Sequence, residues 1–280
     1  MECLAIDWSG ALSGAAAKIW IASAVGGSLT SLTSLTAPGS RDAVRDALLA
    51  RRAMTAPCVV GLDFAFSVPQ WFASSRGWSD VRDVWVAARD DGETWLRNCP
   101  APFWGRAGVP RAHEAQCGLR ETERTWTSWP RPKSVFQIGG AGAVGTGSIR
   151  GMPMLLALRD AGWAVWPFDA PSTHTLVEIY PRLFTGPVVK RDATARAAFL
   201  IRNYVTDARE FAAAMIESED AFDAGVSAVR MSEVIHTAPL PTVSDPVSRI
   251  EGRIFVPDVT QRPATTLIEI GAETSSGPIT

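Results

Sequence analysis

The sequence predicts an α/β domain. Short apolar runs of strand length, "CLAIDWSG", "PCVVGLDFAF" and "TLVEIYP", are separated by segments whose apolar residues recur at helical spacing. Each run carries one acid within it or near its end: Asp7, Asp63 and Glu178. The 280 residues are 46% hydrophobic and 20% charged. That is enough to bury a large core, in one big domain or in one domain with a substantial insertion.

The elements follow in order. "CLAIDWSG" ends in an acid and a glycine, as a buried strand does when it runs out into a turn. "AAKIWIASAV" is a second strand, and Gly26-Gly27 suits a hairpin into a third, "SLTSLTSLT". "SRDAVRDALLARRA" is helical: Ser40 offers a cap, and Val44, Leu48 and Leu49 mark one face. "PCVVGLDFAF" completes a β-β-β-α-β opening.

Residues 67–150 break this rhythm. They are rich in Trp, Arg, Pro and Gly and read as an insertion, with helix near 79–96. Regular structure resumes with "MPMLLALRDAG", a helix starting near Met152 and ended by Gly162. Strands "WAVWPF" and "TLVEIYP" follow, then helices "ATARAAFLIRNYV", "DAREFAAAMIE" and a last long one over about 218–235, then a strand-like "GRIFVP". The expected organisation is a core of residues 1–66 and 151–260, an insertion at 67–150 and a flexible tail at 261–280.

Net charge of −2 and a pI of about 6.0 argue against a chain-wide electrostatic nucleic-acid binder, though not against a local basic groove. The four cysteines form no CxxC pair, and Cys3 and Cys58 sit in apolar runs. "MECLAIDWSG" has no basic region followed by a long apolar one, and no apolar run approaches a membrane span. The expectation is a cytoplasmic protein without membrane contact.

If the acid-bearing strands are parallel neighbours, Asp7, Asp63 and Glu178 cluster at the sheet edge where α/β folds bind ligands. In "EDAFDAGVSA", Asp220 and Asp223 stand three apart and share a helix face. Gly225 and Ala228 would let that helix approach the sheet. The competing account is local: Ser218 caps the helix, and acids in its first turn complement the dipole. Converging carboxylates in a dry site need a cation. Oxygen-only ligands suit Mg²⁺ or Mn²⁺, which promote phosphoryl chemistry.

The ordered set "AIDWSG", "VVGLDFAFSVP", "VEIYPRLF", "DAFDAGVSA" and "EGRIFVP" resembles the DUF429 family over most of the chain. The resemblance implies an RNase H-like mixed sheet flanked by helices and a metal-dependent nuclease activity. It maps Asp7, Asp63, Glu178 and Asp223 onto the family's acids. Those four are the expected catalytic residues, and with Asp220 they form the expected metal set. Spacing at Asp63 is looser than in the family pattern. "GLRETER" resembles a charged stretch of the family and brings in Arg120, Glu123 and Arg124 on the substrate side.

Residues 97–133 hold seven basic side chains against three acids, with Trp104, Trp126 and Trp129 interleaved. Arginines and aromatics together can grip phosphates and stack bases, and Lys133 joins the substrate-side candidates. Alternatively, the tryptophans form the insertion's own small core. "GGAGAVGTGS" contains a GxGxxG spacing, but a helix starting near Met152 stands too far from Gly145 for phosphate docking. His113 and Cys117 are four apart and lack a second pair for zinc. His174 and His236 have no nucleophile nearby. The leading expectation is phosphodiester hydrolysis in nucleic acid with Mg²⁺ or Mn²⁺. The alternatives are an actin-like ATP-dependent phosphotransferase and a non-catalytic module that binds a nucleotide or a protein.

Overall fold

The computed structural model describes residues 1–35, 40–109, 118–126, 131–203 and 209–256. Its centre is a six-stranded mixed sheet with helices on both faces. The strands are β1 (Glu2–Asp7), β2 (Trp20–Val25), β3 (Ser28–Ser34), β4 (Cys58–Leu62), β5 (Ala164–Val165) and β6 (His174–Glu178). Their order is β3-β2-β1-β4-β6-β5. β1, β2 and β3 are antiparallel neighbours; β4 joins β1 in parallel, β6 joins β4 in parallel, and β5 joins β6 in parallel. Gly26 and Gly27 both take positive φ in the β2–β3 hairpin, which side chains with a Cβ resist.

The helices are α1 (Ser40–Arg52), α2 (Gln70–Ser75), α3 (Val81–Asn98), α4 (Glu121–Arg124), α5 (Gly145–Asp160), α6 (Arg182–Thr185), α7 (Ala193–Asn203), α8 (Arg209–Glu217), α9 (Glu219–Thr237) and α10 (Ser248–Glu251). Strand alternation splits the core in two. Leu4, Ile6, Val60, Leu62 and Leu176 join the cluster that holds α1, α3 and α5. Cys3, Ala5, Val59, Val177 and Ile179 join the cluster under α8 and α9. A strand buried on both faces reads as a continuous apolar run, as β1 and β4 do. Each fully buried leucine or phenylalanine side chain contributes about 1.5–3 kcal/mol.

Several expectations change here. Residues 67–150 do not build a separate small core: Trp85, Trp95, Phe103 and Phe136 are buried in the same cluster as Leu4 and Val60. α5 begins at Gly145, well before Met152. "WAVWPF" supplies only the two residues of β5, and "GRIFVP" only a bridge from Ile254 to Glu178. Gly225 does not face the sheet. A Cβ there would meet Met215 of α8 at 2.7 Å, whereas one on Gly61 of β4 would meet Met231 of α9 at 2.6 Å. Gly61 is thus the glycine that brings α9 onto the sheet. The proposed tail at 261–280, Trp129, His113 and Cys117 lie outside the described residues.

Candidate active site

Asp7 is the last residue of β1, and Asp63 directly follows β4. Their strands run side by side and in parallel, and Asp63 N–H donates to Ile6 O at 3.1 Å. Ile6, Leu62 and Glu178 occupy one row across the sheet. Ile6 and Leu62 point into the α5-side cluster, so Glu178 leaves on that face too. Asp7 and Asp63 stand one residue further on and belong to the opposite, α9-side face.

α9 supplies the third aspartate. Ser218 caps the helix, its side chain accepting from Ala221 N–H at 3.1 Å. Glu219 and Asp220 fill the acidic first turn. Asp223 lies a turn deeper, where it serves no cap, and is 5% exposed. Burial, and then the charges of Asp63, Asp223 and Asp220, push the Asp7 carboxyl well above the ordinary aspartate range. Burial followed by Asp223 raises Asp63, with Glu178 a smaller contributor. Asp7, the neighbour of Asp63, offsets part of this rise. Burial raises Asp223 and Lys190 opposes it. Asp220 is half-buried and raised by burial and then by Glu219. Tyr180 is pushed up to about 12, by burial and then by Asp63.

The Asp223 carboxylate is split in its surroundings. Oδ2 accepts from Lys190 Nζ, while Oδ1 is buried with no hydrogen-bond partner. Lys190 sits in the turn between α6 and α7, and its charge lowers Asp7, Asp63, Asp220 and Asp223 alike. Nothing in the spacing of "VVKRDAT" ties it to Asp223. The signal that points to it is electrostatic: buried acids need a counter-charge, and only Lys18, Lys133 and Lys190 are lysines.

Glu178 is not free to join the aspartates. Its Oε2 accepts from Phe66 N–H at 2.9 Å and Arg120 Nη1 at 2.8 Å, and its Oε1 accepts from Arg120 Nη2. Arg120 also donates to Glu123 Oε1 through Nε and Nη2, and to Glu251 O through Nη1. Arg120 and Glu123 are both buried, so this pair locks the segment around α4 to the sheet, at the wall of the cleft described below. Arg124 is exposed at the end of α4.

No protein-family model matches the chain, and neither does any curated protein or solved structure.

A cleft of about 630 Å³ opens at this edge of the sheet. Asp63 and Tyr180 line it, with Arg106, Lys133 and Arg150 among its basic residues. Asp7 and Asp223 do not line it. The glycine-rich stretch forms part of its wall, and Gly145 opens α5, contrary to the late helix start expected. Two of the local donors are used within the protein. Gly145 N–H donates to Gln137 O at 2.9 Å and Thr146 Oγ1 to Ile138 O at 2.8 Å. Trp8 Nε1 donates to Gly147 O at 3.0 Å, and a Cβ on Gly10 would collide with Gly147 N. This loop docks α5 onto the turn after β1. His174 begins β6 with its ring edge-on to Trp163, and His236 lies in the last turn of α9.

Among the described residues, no three of His, Cys, Asp or Glu stand ready-made to hold a metal ion. The donor set nevertheless fits a hard divalent cation in its chemistry: two buried carboxyls, one of them with an oxygen that has no hydrogen-bond partner, and the partly exposed Asp63. Two of the expected acids already hold protein cations, Asp223 with Lys190 and Glu178 with Arg120. No described helix is long and apolar enough to cross a membrane.

Proposed function

We propose that this chain is a metal-dependent phosphodiester hydrolase acting on nucleic acid, with an RNase H-like core. One observation carries the reading: Asp7 and Asp63 stand at the ends of adjacent parallel strands, and buried Asp223 of α9, whose charge reaches both, keeps one oxygen without a partner. The sheet supports the fold half of the proposal, with its antiparallel β3-β2-β1 followed by parallel β4 and β6. The resemblance to the DUF429 family points the same way.

In this reading Asp7, Asp63 and Asp223 hold Mg²⁺ or Mn²⁺, and Asp220 is the more replaceable acid beside them. The bound ion would activate water and offset charge building on the phosphoryl oxygens. Asp63, at the cleft, connects the buried acids to substrate. Lys133, exposed on the cleft wall, meets the phosphate backbone. Glu178 and Arg120 act by fixing the cleft wall, not by ligation. The Lys190–Asp223 ion pair favours a second reading, in which the lysine is a permanent counter-charge and the protein a non-catalytic binding module.

Thermal melts with and without Mg²⁺ or Mn²⁺, paired with cleavage assays on single- and double-stranded DNA and RNA, separate these. The hydrolase should show a metal-dependent rise in Tm and metal-dependent cleavage, both lost in Asp7→Asn. A wild type with neither response sinks the hydrolase reading.

A further inference from the structure

Two buried aspartates, Asp7 and Asp223, and the partly exposed Asp63 outnumber the cations beside them, the Lys190 ammonium and the more distant Arg182. Lys190 Nζ reaches only Oδ2 of Asp223, and Oδ1 of the same carboxylate remains buried and unsatisfied. An unsatisfied buried acceptor is costly, more so when charged, and one ammonium on Oδ2 does not relieve it. The backbone beneath Lys190 is firmly held. Buried Arg196 donates to Lys190 O and, through Nε, to Met215 O at 3.2 Å and Ile216 O at 3.0 Å. This ties the turn to α7 and α8. The side chain is different: it is 16% exposed, and its four rotatable bonds let the ammonium change partners without moving the main chain.

We infer that Lys190 is the resident counter-cation of the aspartate site, and that a divalent ion enters by displacing its ammonium from Asp223. This rests on the metal reading above and adds to it. A lysine neutralises one charge through one oxygen. A divalent ion neutralises two and can use Oδ1 as well. An ion that takes both oxygens of Asp223 leaves the ammonium no place on Oδ2, and repulsion between the two cations favours its release. Lys190 therefore sets metal affinity. It keeps the acids compensated when no ion is present, and its release puts a free ammonium beside the site when one arrives.

The test is calorimetric titration of the full-length protein with MnCl₂, for wild type, Lys190→Met and Lys190→Arg. Lys190→Met should bind Mn²⁺ about tenfold tighter, equivalent to about 1.4 kcal/mol. Lys190→Arg should stay near wild type, and metal-free Lys190→Met should melt lower than wild type. If Lys190→Met binds no tighter than a wild type that does bind, the displacement proposal falls and the metal reading stands. If none of the three binds Mn²⁺, both fall.

A second measurement needs no destabilising variant. With only three lysines in the chain, ¹³Cε-lysine labelling gives three side-chain signals, and Lys190→Arg assigns one. Mg²⁺ should move the Lys190 signal toward that of a solvated ammonium. A Lys190 signal that stays in place while Mg²⁺ binds overturns the proposal.

Discussion

Leu62 on β4 and Glu178 on β6 are parallel partners in the sheet. Leu62 is buried in the cluster beneath α5, so its partner's carboxylate leaves the sheet on that face, away from α9. There it meets Arg120 and Phe66 N–H. This one register position divides the acids into two kinds. Asp7, Asp63 and Asp223 lack a matching set of cations. Glu178 and Glu123 have one in Arg120.

Arg120→Met is expected to cost about 3–5 kcal/mol, because it leaves Glu178 and Glu123 buried without their partner. Urea denaturation followed by circular dichroism measures this. Adding Glu178→Gln and Glu123→Gln to the same chain should recover a good part of the loss. A single variant as stable as wild type would mean that the network is not held together by charge.

Asp7→Asn should stabilise the metal-free protein at pH 8 and do so less at pH 5. The raised native pKa of Asp7 decides the sign. Its contribution is full below the unfolded aspartate value of about 3.9 and is lost as pH rises through the native value. Asparagine escapes that loss, so Tm should rise at pH 8 by more than at pH 5, read from melts across the pH range. A variant destabilised at every pH would make Asp7 a structural residue.

Gly10→Ala should destabilise by about 1–3 kcal/mol, since the added methyl strikes the backbone of Gly147, which cannot rotate aside. Arg150 Nη1 donates to Gly10 O, so the cleft wall should shift with it. Thermal melts, and weaker binding of an oligonucleotide, report the two effects.

Lys133→Ala should weaken oligonucleotide binding about equally across sequences and reduce the salt dependence by about one phosphate contact, without changing Tm. Fluorescence anisotropy at several KCl concentrations measures it. An unchanged salt slope would take Lys133 off the path of the substrate.

By itself the sequence determined the β-β-β-α-β opening, the strand that carries Glu178 and the last helix. Those are local properties: a doubly buried strand announces itself as an apolar run, and an acid at its end stands out. The early start of α5 was hidden because glycines at 145, 147 and 151 are poor helix formers, tolerated here for close packing against Val135 O, Trp8 and Phe64. Only the tertiary structure decided that Glu178 is held by Arg120, that Arg120 also meets Glu123, and that Lys190 sits on Asp223. The first and the last depend on the register or the meeting of segments 33 to 58 residues apart in the chain. Charge compensation in a low-dielectric interior is set by which groups come within a few ångströms of each other, and no periodicity or spacing in one stretch of chain encodes that distance.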